Sequence, residues 1–121
     1  MRPLLVRAVL EVAMHKAVSG EFYLERDQPS AVRLQLRAAQ RILNNIEEEY
    51  GGTLENADLA YFYQISCIVS KLNGQLERAR ELGEKSVTCH EKCGRHGDAA
   101  EVRLLLKEIN CGIEKVKECL H

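Results

Sequence analysis

The groups in this chain best suited to chemistry are five cysteines and four histidines. One cluster of them has a suggestive spacing: Cys89-His90, Cys93 and His96. Cys89 and Cys93 stand one helical turn apart and His96 follows three residues later, so a zinc ligand set is geometrically conceivable. A closed structural site takes four ligands, commonly in paired short spacings, and the fourth would have to come from Cys111 or His121. Buried thiols along a helix interface explain Cys89 and Cys93 with fewer assumptions, so no metal or other cofactor is expected. Cys67, Cys111 and Cys119 complete an odd count without the loop-rich frame of a disulfide-stapled domain. They read as reduced thiols of an intracellular, cytoplasmic protein. No cysteine lies in a loop that would activate a nucleophile, and GxGxxG, HExxH and GxSxG segments are absent. Catalysis is not expected.

Charge and composition narrow the alternatives. Seventeen basic against eighteen acidic side chains leave a net charge of −1, whereas nucleic-acid binders carry a basic excess. No block of like charge offers a footing on a membrane. At 121 residues the chain is sized for one domain with a single core. Ala, Leu, Glu, Lys and Arg dominate, which favours helix.

The elements follow from apolar periodicity. Leu4 to Val18 is rich in Leu, Val and Ala, with Arg2 and Arg7 and no acid before Glu11. Glu11, His15 and Lys16 interrupt it too often for a secretory signal, and it is too short for a membrane span. A mitochondrial presequence is the alternative to a buried first helix over about 3–24, with Pro3 in its first turn. Asp27 or Gln28 is positioned to cap a second helix over 29–50, where Val32, Leu36, Ala39, Leu43 and Ile46 repeat at 4-3-4-3 spacing. Gly51-Gly52 reads as its stop. Two central helices, 55–72 and 75–93, flank a turn at Asn73-Gly74. The first is apolar on every side and so expected to sit between neighbours; the second is amphipathic, with small Ala79, Gly83 and Ser86 facing inward. Asp98-Ala99-Ala100-Glu101 reads as a capping box opening a fifth helix, 98–119.

The segment Lys71-Leu72-Asn73-Gly74-Gln75-Leu76-Glu77-Arg78-Ala79 resembles the centre of a tetratricopeptide repeat. Gly74, Leu76 and Ala79 match that family's turn glycine, large residue and alanine, and Tyr63 its early aromatic. Ser66-Cys67 replaces the usual Leu-Gly pair, Ser70 the mid-helix Tyr, and no Pro ends the second helix. A weaker, glycine-less copy at residues 4–50 is placed by matching Ala31 to Ala79, a period of 48, and Ile109-Asn110-Cys111 echoes Ile65-Ser66-Cys67 at 44. The expected architecture is all-α: antiparallel pairs over 3–50 and 55–93, in one tetratricopeptide-like domain, with a fifth helix covering the open end.

The resemblance implies a concave groove lined by the first helix of each pair, for binding a peptide or helix of another protein. Its groove positions fall on Lys16, Gly20 and Tyr23, on Tyr61, Gln64, Ile68 and Lys71, and on Glu108, Gly112 and Lys115. Gln64 and Ile68 replace the Lys and Asn with which chaperone-binding members clamp a terminal carboxylate. A mixed apolar and polar groove suits an amphipathic or extended segment instead. The expected function is therefore a non-catalytic adaptor with no nucleic-acid or membrane partner. Two alternatives stand: a self-associating helical bundle, and a regulatory or ligand-sensing fragment of a larger protein.

Overall fold

Each apolar period in the sequence becomes a helix. A computed structural model describes residues 3–120, and among them there is no strand. The helices are α1 (Pro3–Glu25), α2 (Pro29–Tyr50), α3 (Asn56–Leu72), α4 (Leu76–Lys92) and α5 (His96–Cys119). Helices adjacent in sequence pack as antiparallel pairs, so α1, α3 and α5 run in parallel. Arg2 and the alternative fourth ligand His121 lie outside the described residues.

Three of the four connections have one geometry. The N–H groups of Gln28, Gln75 and Arg95 donate to the carbonyls of Tyr23, Ser70 and His90 at 3.0, 2.9 and 2.8 Å. Those of Asp27, Gly74 and Gly94 donate to Leu24, Lys71 and Glu91 at 3.1, 3.0 and 3.0 Å. This double closure is the Schellman motif, and it needs a left-handed residue at its centre. Asp27, Gly74 and Gly94 supply it, with φ of 54°, 78° and 72°. Asp27 therefore closes α1 rather than capping α2, and Gln28 makes no side-chain cap hydrogen bond. The expected capping box is not formed: α5 begins at His96 without a side-chain cap hydrogen bond, and Asp98 lies inside the first turn, where its charge still suits the helix dipole. Gly51 ends α2 in a right-handed conformation, φ −47°, so that stop is not a left-handed glycine.

Equivalent turns fix the repeat. Asp27 corresponds to Gly74, a separation of 47 rather than 48, so the partner of Ala79 is Val32 and not Ala31.

The core has two clusters joined through α3. One gathers Leu10, Ala13 and Ala17 of α1, Leu36 and Leu43 of α2, and Ile65 and Val69 of α3. The other gathers Cys67, Ala79, Leu82, Ile109 and Ile113 from α3, α4 and α5. At Gly83 a Cβ would stand 2.6 Å from Leu106 Cδ2 and 3.2 Å from Cys67 Sγ, which is why the small face of α4 is needed there. Ser86 buries its hydroxyl by donating to the Ala60 carbonyl at 2.8 Å.

The first helix is less enclosed than expected. It packs chiefly on α2 and α3, and Leu5, Val12 and Phe22 are about half exposed. α5 closes the opposite end of the stack, where Leu104 and Val116 are exposed in turn. Among the described residues no helix is long and apolar enough to cross a membrane.

Candidate functional site

Because α1, α3 and α5 run in parallel, their exposed faces form the walls and floor of one groove. Arg7, Met14 and Val18 of α1, Tyr61, Gln64 and Ile68 of α3, and Asp98 and Glu101 of α5 enclose about 370 Å³. His90 of α4 reaches between α3 and α5 into the same floor.

One end of the groove is held by charge. The Arg7 guanidinium lies 3.9 Å above the centre of the Tyr61 ring and pairs with Glu11 at 3.3 Å and Asp58 at 3.9 Å. The Tyr61 hydroxyl donates to Glu11 Oε2 at 3.2 Å. Burial, with Glu11 beside it, pushes that phenol up to about 12, so it stays protonated. At the other end Lys71 Nζ donates to Glu108 Oε2 at 2.7 Å. Glu21 stands near this pair; burial raises its pKa, and Lys71 opposes the rise.

Between the ends the floor is apolar, with a polar spot where His90 meets Gln64. His90 is 1% exposed, and its Nε2 lies 3.0 Å from Gln64 Oε1. With a carbonyl oxygen facing it, Nε2 carries the proton and Nδ1 is left as a bare lone pair. Nδ1 is buried and has no hydrogen-bond partner. Burial lowers the imidazole pKa, which keeps the ring neutral.

Tyr61, Gln64 and Ile68 thus lie together in the groove, and Lys71 and Glu108 meet at its end. Lys16 and Tyr23 do not line it. Two residues along a helix is 200° of rotation, so Lys16 points nearly opposite to Met14 and Val18. Tyr23 packs edge-on against Phe22 at 5.4 Å between ring centres. Gly20 is buried, its Cβ position 3.3 Å from Leu36. The period matters here: 48 carried Ile68 to the buried Gly20 and Gln64 to Lys16, whereas 47 carries Ile68 to Glu21, Tyr61 to Met14 and Gln64 to the buried Ala17. On α5, Gly112 faces Leu76 of α4, 3.1 Å from its Cβ position, and Lys115 is exposed.

The sequence reading missed Arg7, Met14, Val18, Asp98, Glu101 and His90. His90 had a signal, since it continues the inward series Gly83, Ser86 at helical spacing. Among the described residues no three His, Cys, Asp or Glu side chains are grouped to hold a metal; Cys89 is buried in α4, Cys93 caps the end of that helix, and His96 is exposed at the start of α5. Burial raises the thiol pKa of Cys89, and that of Cys67 to about 12, so neither is a ready nucleophile.

A second depression of about 480 Å³ lies on the far side, between α3 and α4, bordered by Tyr63, Glu84, Lys85 and Cys89. It involves one helix pair, whereas the groove draws on four helices. Compared with models of known protein families, with curated proteins and with solved structures, the chain matches none.

Proposed function

We propose that the chain is a tetratricopeptide-like adaptor that holds a segment of another protein in the groove of α1, α3 and α5. The observation carrying this reading is the convergence of three parallel helices on one cavity with an apolar floor and polar rims. Such a surface offers burial for apolar anchors and orientation by charge, which is how helical grooves take peptides. The left-handed Gly74 and the fully buried Ala79 agree with the family resemblance at its two most demanding positions. Thiols raised by burial and a neutral, enclosed His90 favour binding over catalysis.

A photo-crosslinking residue at Gln64, expressed in the native cell, should yield a discrete heavier adduct, and the same residue at Glu84 should not. An adduct at Glu84 alone would move the site to the far-side depression. A second reading, self-association through the exposed apolar side of α1, is favoured by Leu5, Val12 and Phe22. It predicts twice the chain mass in light scattering, lost in Val12→Asp.

A further inference from the structure

We propose that the segment held in the groove is a basic amphipathic one, with apolar side chains toward Met14, Val18 and Ile68 and Lys or Arg toward Asp98, Glu101 and Glu21. This rests on the groove being the docking surface. The groove's two cations are already engaged by the chain's own carboxylates, Arg7 by Glu11 and Asp58, and Lys71 by Glu108. The Tyr61 hydroxyl is likewise engaged by Glu11. The acids are in excess. Among the described residues Glu21 and Glu101 form no ion pair, and Asp98 has only Arg95 on its own helix, at 3.8 Å. Glu21, beyond the cavity lining, has Lys71 near it and Glu108 and Glu25 besides.

The floor independently has the same polarity. His90, almost wholly buried, carries an unpartnered Nδ1 acceptor beneath this cavity. A buried acceptor without a donor is unfavourable until something supplies one. The carboxylates and the imidazole therefore lack the same thing, N–H donors, and a cationic side chain brings several. Gln64 is the exception. Its oxygen is turned to His90, which leaves its amide NH₂ to hold a carbonyl of the bound backbone. An acidic segment would meet the Asp98 and Glu101 carboxylates on the α5 wall and find no disengaged cation, so the groove repels it.

The test is selection of binders from a phage-displayed library of random peptides long enough to cross the three helices. Each selected peptide is then footprinted by amide chemical shifts on the whole chain. The inference expects Lys- or Arg-bearing amphipathic peptides whose footprint covers Met14, Gln64, Ile68 and Asp98 and moves the His90 ring resonances. Their affinity should fall with salt, and by roughly tenfold in the Asp98→Asn, Glu101→Gln double variant, while Glu84→Gln leaves it unchanged. Acidic or uncharged peptides in the same footprint would overturn the basic partner and leave the groove reading standing. Footprints confined to the outer side of α1, or to Tyr63 and Lys85, would overturn the groove reading itself.

Discussion

Counted from the left-handed residues of their turns, the second helices of the two hairpins align position by position. Val32, Leu36, Ala39 and Leu43 of α2 correspond to Ala79, Gly83, Ser86 and His90 of α4, and all eight are buried. Identical turn geometry therefore supports two different interiors. In the first hairpin Leu36 and Leu43 fill the space between helices with hydrocarbon. In the second the equivalents are small or polar, α5 crowds against Gly83, and a histidine reaches through to the groove. The comparison separates what the backbone requires from what the site requires. The turn and the helical phase are shared; the polar spot is particular to the hairpin that builds the floor.

The sharpest way to break this contrast is to exchange the sixteenth residue after each turn. Leu43→His should cost about 3 kcal/mol or more in urea unfolding, since it buries an imidazole among hydrocarbon. His90→Leu should stay within about 1 kcal/mol of the parent, because it removes an unsatisfied acceptor and leaves the partly exposed Gln64 to water. Equal costs would mean that His90 is a structural requirement like its counterpart.

Next comes the crossing at Ala79 and Val32. Ala79→Leu should cost about 1–3 kcal/mol by overpacking the α3–α4–α5 cluster, whereas Val32→Leu should cost about 1 kcal/mol or less. Glu84→Ala, exposed, should change stability by under about 0.5 kcal/mol. If Val32→Leu proved the worse of the pair, the first interior would be the tighter one.

The turns themselves give a smaller contrast. Gly74→Val should destabilise by roughly 1 kcal/mol or more, because a β-branched residue enters φ +78° reluctantly. Asp27→Gly should be nearly neutral in melting temperature: relief at φ 54° is offset by a freer unfolded chain.

The smallest effect is in pH. The folded pKa of His90 lies below its unfolded value near 6.5, so the unfolded chain binds the extra proton first. His90's neutral state supports the fold above about 6.5, and that support is lost as pH falls from there toward the lowered folded pKa. Melting temperature followed from neutral pH into the acid range should decline less steeply in His90→Leu than in the parent.

Helix positions were legible in the sequence because apolar spacing and turn residues agree at nearly every boundary. Gly74 and Ala79 were legible for the same reason, since a left-handed glycine and a small buried residue each answer one local demand. The groove was legible on α3, whose register Gly74 fixes. On α1 it was not, because Asp27 occupies the turn position that glycine marks elsewhere. Without that anchor the register slipped by one residue, which on a helix is 100°, and Ile68 was matched to the buried Gly20 instead of Glu21. His90 escaped because its partner Gln64 lies 26 positions away and only the packing of α3 on α4 joins them.

The helix starts have a consequence for motion. Among α2, α3, α4 and α5 none begins with a side-chain cap hydrogen bond, so each holds its first turn chiefly by packing. α3 alone contributes buried residues to both core clusters, while α5 reaches the first of them only through the partly buried Leu105. Local opening should therefore be cheapest at the two ends and dearest in the middle, and amide hydrogen exchange should be slowest along α3. The walls of the groove can then breathe against a floor that stays in place.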